Sequence, residues 1–200
     1  MIIKLHDISV FYINMDDAVD RRVEMEKLLH KRRFKNVTRV KGPKKQHPWH
    51  GCASGHLAAM QNRKPPFIVL EDDCRLKTDV GLVDVPNDAD CLYLGIANRG
   101  TTDDVKFFRH GHSDQIVRLY DMLSAHAILF LSEAYYRDCV KIAQECVDHG
   151  EKALDVAYAK NMPYWKVYAL ANPLFHQAEC CLKTNVRFKT DQQYIDDSLA

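Results

Sequence analysis

Apolar and β-branched residues in the first third of the chain form short dense runs separated by longer amphipathic stretches. Ile8 to Asn14 (ISVFYIN) mixes β-branched and aromatic residues and predicts a buried strand. Ala18, Met25, Leu28 and Leu29 then recur at helical spacing, with Arg21, Arg22, Glu24 and Lys27 between them, and Asp16 or Asp17 stands where a helix cap is expected. Asn36 to Val40 predicts a short second strand closed by Gly42-Pro43, His50 to Gln61 a helix, and Phe67 to Leu70 a third strand. Strand, helix, strand, helix, strand is the order of an α/β sheet with largely parallel neighbours.

The second half is less regular. Cys91 to Ile96 predicts a strand, and Val105 to Arg109, Ile116 to Tyr120 and Ala125 to Leu131 predict three more, joined by polar turns as an antiparallel addition to the sheet. Ser132 caps a helix whose Tyr136, Cys139, Val140, Ala143, Cys146 and Val147 share one face before Gly150 stops it. A further helix is expected from Glu151 to Lys160, and a late strand from Trp165 to Leu170. The fold class is therefore α/β, a mixed sheet flanked by helices in a single domain over residues 1–200, with a polar tail from 184 onward that is expected to be loosely held.

Composition adds limits. With 200 residues and 46% hydrophobic content the chain has enough apolar material for one core. Lys plus Arg number 28 and Asp plus Glu 27, which excludes a chain whose overall charge binds nucleic acid. The charge is unevenly spread. From Lys27 to Leu70 there are eleven Lys and Arg and no acid, whereas Glu71 to Asp90 carries seven acids. Seven cysteines without a CxxC pair fit a reducing compartment rather than a secreted disulfide framework. No stretch nears the roughly 18 apolar residues of a membrane helix, and the opening residues lack a signal-peptide pattern, so the expected location is cytoplasmic.

The candidate chemistry sits at FIVLEDDC, where an apolar strand runs straight into Glu71, Asp72 and Asp73. Two unit charges about 4 Å apart at an effective dielectric near 20 repel by roughly 4 kcal/mol, so these acids must be solvated, paired or sharing a cation. Ligands of open α/β sheets lie outside the carboxyl ends of strands, which is where this cluster falls. Continued extension would turn Glu71 and Asp73 to one side and Asp72 to the other, an acid-x-acid pair suited to Mg2+ or Mn2+ on the phosphates of a nucleotide. The alternative is a solvated, capping loop. His47, His50 and Cys52, with His110 and His112, are zinc-ligand residue types, but no second cysteine pair completes a closed set.

INMDDAVDRR at 13–22, GCASGHLAAMQ at 51–61 and FIVLEDDC at 67–74 resemble, in order and spacing, the leading motifs of glycosyltransferase family 25, the lipopolysaccharide and collagen β-galactosyltransferase group. The chain departs from that pattern at Asp17, where the family has arginine, and at Gly55, where it has serine. The resemblance implies a GT-A-like fold and a metal-dependent, inverting hexosyl transfer from UDP-galactose or UDP-glucose to a glycan or glycoprotein hydroxyl. It implies Glu71, Asp73 and His176 as metal ligands and Asp155 as the base. It further implies Asn14, Asp16, Arg21, His56 and Asp72 around the nucleotide sugar. Two other classes use the same acids: a metal-dependent phosphohydrolase or nucleotidyltransferase, and a non-catalytic nucleotide-sugar-binding module. Sequence fixes neither the oligomeric state nor the acceptor.

Overall fold

The computed structural model describes residues 1–76, 81–97, 99–101, 106–109, 115–150 and 152–178. Its centre is an eight-stranded sheet. Three parallel strands come first: β2 (Ser9–Asn14), β3 (Val37–Lys41) and β4 (Phe67–Glu71), with β2 between the other two. Beyond β4 the order continues through β10 (Ala127–Phe130), β7 (Cys91–Tyr93), β11 (Val167–Leu170), β9 (Ile116–Asp121) and β8 (Lys106–Arg109). β10 and β9 run antiparallel to their neighbours and β7 and β11 are parallel, so the sheet is mixed, as the pattern predicts.

Helices cover both faces. Alternation along the strands decides which side chain meets which helix. Val10, Tyr12, Ile68 and Leu70 pack with Met25 and Leu29 of α1 (Val19–Lys31) on one face. Phe67 and Val69 pack on the other, against α2 (Pro48–Met60), α3 (Glu133–His149) and α4 (Leu154–Asn161). Strand β4 therefore has both faces covered, and Phe67, Ile68, Val69 and Leu70 are each at most 1% exposed. A continuous apolar run is what such a strand needs, and burying side chains of this size stabilises the fold by about 1.5–3 kcal/mol apiece.

The clearest expected helix is also the best terminated. Ser132 Oγ accepts a hydrogen bond from the Tyr135 amide at α3's start, and Gly150 closes it with φ of 64°, a conformation glycine adopts without strain. Helix α1 differs from expectation. It begins at Val19 with Ala18 as its cap, because residues 15–18 form a turn of their own in which the Ala18 amide bonds Met15 O. Asp16 and Asp17 are freed from capping and pair with lysines instead.

Four three-residue strands escape the sequence pattern: β1 (Ile2–Lys4), β5 (Cys74–Leu76), β6 (Leu82–Asp84) and β12 (Phe175–Gln177). They form two antiparallel ribbons, β1 with β6 and β12 with β5. The polar tail expected from 184 onward lies outside the described residues, as do His110 and His112. Among the described residues no helix is long and apolar enough to cross a membrane.

Candidate functional site

Because β2 and β4 are parallel neighbours, Asn14 and the Glu71–Asp73 cluster emerge at the same edge of the sheet. Strand β4 ends at Glu71 and the chain turns through Asp72 and Asp73. Glu71 follows Phe67 and Val69 on the α2 face. Asp72 goes to the α1 side. The acids open into a cavity of about 380 Å³ whose apolar wall includes Ile13, Met15, Pro43 and Pro48, and whose rim carries Arg21, Lys44 and Lys45.

On the α1 side the protein completes its own charge balance. Asp72 is 7% exposed. Its Oδ1 lies 3.1 Å from Arg21 Nη1. Its Oδ2 accepts a 2.6 Å bond from Asn14 Nδ2. Asn14 is itself fixed, since Nδ2 also donates to Ala18 O at 3.0 Å and Oδ1 accepts from Arg39 Nε at 2.9 Å. Arg39 reaches on to Asp16 at 2.7 Å, and Lys41 pairs with Asp16 as well. The hydrogen bonds from Lys41 and Arg39 hold the Asp16 carboxyl down at about 2. Asp16 is 53% exposed, engaged in this outer pair, and is not among the residues lining the cavity.

On the α2 side the balance is left open. Gly55 lets α2 approach β2 closely: a Cβ there would sit 2.8 Å from Ile13 Cγ2. That approach brings Cys52 and His56, one turn apart on α2, to the end of β4. His56, wholly buried, places Nε2 3.0 Å from Glu71 Oε1, and the Cys52 thiol donates to the same oxygen at 3.6 Å. Burial pushes the Glu71 carboxyl up, but the hydrogen bond and charge of His56, with His126 and Cys52, outweigh it and hold the group below its ordinary value. Asp73 is pushed up to about 6, first by burial and then by the charges of Glu71 and Asp72, against the pull of Arg21. Its Oδ1 is buried without a hydrogen-bond partner.

Strand β12 brings to Glu71 and Asp73 a residue that the sequence did not single out. Gln177 Nε2 lies 3.2 Å from Glu71 Oε2 and 3.4 Å from Asp73 Oδ2. His176, the expected third ligand, is its neighbour and registers with Arg75 across the ribbon; burial first, and His176 to a smaller extent, hold the nearby His126 imidazole below its ordinary value. Asp155 stands in the first turn of α4, where Oδ1 accepts from the Val156 amide at 2.9 Å. It is near enough to Cys52 to help push the thiol up, but it does not line the acidic cavity. His47 and His50 are occupied elsewhere: His47 stacks on Trp49 and His50 contacts Gly150 O at 3.1 Å.

No family model matches the chain, and no curated protein matches it. Among solved structures it is similar to the CTP:phosphocholine cytidylyltransferase of Streptococcus pneumoniae, with 14% identity over 98% of this chain and 79% of that one and a TM-score of 0.43. The expectation of a family 25 glycosyltransferase is corrected by these findings. Its motifs do not extend into a match to any family model. The physical reason is that a strand end, a close-packed helix and an acidic turn describe the crevice of any α/β sheet that holds a ligand there; they do not specify which group is moved. The hexosyltransferase activity, with its UDP-hexose donor and glycan acceptor, is withdrawn with it. A likeness at that TM-score supplies no argument for an activity in this chain, so function must be read from the side chains.

Proposed function

We propose that this chain is a divalent-cation-dependent nucleotidyltransferase. The observation that carries the reading is the unbalanced half of the acid cluster. Asp72 is neutralised by Arg21 and bonded by Asn14, whereas Asp73 Oδ1 is buried with no donor beside Glu71. An orphaned carboxylate oxygen next to a second carboxylate, at the mouth of a cavity, fits a hard cation such as Mg2+ or Mn2+ held by Glu71 and Asp73. Such an ion, when bound, supplies charge neutralisation to phosphate oxygens.

The rest of the chemistry belongs to the chain. Lys45 lines the cavity with Arg21 and Lys44, and a polyphosphate there would add to the pairs that Arg21 makes with Asp72 and Lys44 with Asp17. The apolar wall of Ile13, Met15, Pro43 and Pro48 offers the nucleoside a surface away from the charges. In the reaction an acceptor oxygen forms a bond to the α-phosphorus, the bond from that phosphorus to the bridging oxygen breaks, and pyrophosphate leaves with the electron pair. The cations at the rim favour the charge that develops there. The five free cysteines among the described residues support a reducing, cytoplasmic setting.

The test is product analysis by phosphorus NMR with each nucleoside triphosphate, Mn2+ or Mg2+, and a set of phosphorylated acceptors. Pyrophosphate release is expected, reduced roughly 100-fold or more in Asp73→Asn, the size of effect that loss of one transition-state contact produces. Orthophosphate alone would identify a phosphohydrolase instead.

A further inference from the structure

We infer that Cys52, His56 and Glu71 form a second cation site, distinct in chemistry from the oxygen site and suited to zinc. Cys52 and His56 are four residues apart on α2, so they share a face, and Glu71 meets them from the end of β4. The thiol, imidazole and carboxylate ligand atoms all lie within 4.8 Å of one another. For tetrahedral Zn2+ with its ordinary bond lengths, sulfur and oxygen ligands stand about 3.6 Å apart and nitrogen and oxygen about 3.4 Å. Here Cys52 Sγ is 3.6 Å from Glu71 Oε1 and His56 Nε2 is 3.0 Å from the same oxygen. Small side-chain shifts would seat the ion.

Charge and access agree with this geometry. On binding, the Cys52 thiol releases its proton to solvent, and one thiolate with one carboxylate neutralises a divalent ion in a confined place. All three residues line the cavity, which gives an ion a route to them. Glu71 serves both sites with different oxygens: Oε1 faces Cys52 and His56, while Oε2 faces Gln177 beside Asp73. Thiolate and imidazole select zinc-type ions over Mg2+. His56 Nδ1 is buried without a partner. Since outer hydrogen bonds to a ligating imidazole contribute roughly 10–100-fold in affinity, the site should bind zinc reversibly, not as a permanent structural centre.

The inference does not depend on the nucleotide reading. Co2+ serves as the spectroscopic probe: one equivalent added to the whole chain should produce a thiolate-to-cobalt charge-transfer band, displaced by Zn2+ and indifferent to excess Mg2+. The band should vanish in Cys52→Ser and persist in Asp73→Asn. In the unmodified chain, Zn2+ should also slow alkylation of Cys52 at least tenfold by peptide mapping, a readout that needs no variant to fold. Absence of the band, its survival in Cys52→Ser, or unchanged alkylation would each overturn the site. Loss of nucleotidyl transfer with the band intact would overturn only the function proposed above.

Discussion

The two sides of the β4 terminus hold adjacent acids in opposite states. Asp72, toward α1, has a guanidinium on one oxygen and an amide on the other, and that amide is anchored in turn by Ala18 O and Arg39. On the other side Glu71 and Asp73 share one glutamine amide, His56 and Cys52 bond Glu71 alone, and one oxygen of Asp73 has no hydrogen-bond partner. A buried charge that the protein has already paired contributes to the fold and offers little to a ligand. A buried charge left unpaired costs stability until something binds it. The same three-letter run, EDD, thus divides into an acid the protein has paired and two whose charge it leaves incompletely balanced.

The largest effect should come from breaking the finished side. Asn14 is 1% exposed, and its substitution by leucine, of similar branching but larger, removes the bond to Asp72 and leaves both Asp72 and Arg39 short of a partner. Buried groups stranded in this way cost about 1–3 kcal/mol, more where a charge is involved, so Asn14→Leu should destabilise by about 3 kcal/mol in urea denaturation. Arg21→Met should do less, because the Arg21 side chain is 38% exposed and solvent replaces part of what it supplies. Equal, negligible losses in both variants would mean that Asp72 is solvated after all, and the contrast between the two sides would disappear.

The unfinished side should respond with the opposite sign. Asp73 has a folded-state value of about 6, above its ordinary 3.8. The folded protein therefore binds more protons than the unfolded chain between about pH 4 and 6, and stability falls as pH rises through that window. Below pH 4 both states are protonated and the penalty is absent; above pH 6 it is complete. Asp73→Asn lacks the penalty, so without divalent ions it should exceed the parent chain by roughly 1–2 kcal/mol at pH 7, a margin that shrinks toward zero at pH 4. Glu71, held below its ordinary 4.5, contributes with the opposite sign and begins to lose that contribution as pH falls past 4.5, but both chains carry it, so the difference between them reports Asp73. Mn2+ should raise the melting temperature of the parent at pH 7 and leave Asp73→Asn behind. A pH-independent difference between the two chains would place Asp73 in bulk water.

Much of this arrangement is legible in the residues, and the rest is not for a definite reason. The apolar run Phe67 to Leu70 followed by acids locates the site, because a doubly covered strand must be continuously apolar and the next residues must then fall at its carboxyl end. Ser132 and Gly150 bound α3 by local cap chemistry alone. What distinguishes Asp72 from Asp73 is non-local: Asn14 lies 58 residues from Asp72, and Gln177 lies 104 from Asp73. Gln177 arrives on a three-residue strand that exists only through its pairing with β5, too short to leave a periodic signal. Cys52 stood in the sequence with His47 and His50, and His56 with the nucleotide sugar; the convergence of Cys52 and His56 on Glu71 depends on Gly55 admitting α2 against Ile13. The family likeness failed for a related reason. Local motifs report how a crevice is lined, whereas the identity of the transferred group depends on contacts made across it.

The smallest predicted effect serves as the control for both sides. Ser132 caps α3 through its bond to the Tyr135 amide, at 3.2 Å, and belongs to neither half of the acid cluster. Removing such a cap costs typically about 1 kcal/mol, so Ser132→Ala should lower stability by that amount at every pH from 4 to 8. Its Mn2+ response and its Co2+ band should match those of the parent, since the energy lost is helix energy remote from Glu71. If instead the cation responses weakened in proportion to the lost stability, the changes in Asp73→Asn could no longer be assigned to a missing ligand. They would reflect the general stability of the domain, and the two sides of β4 would have to be separated by direct ion binding alone.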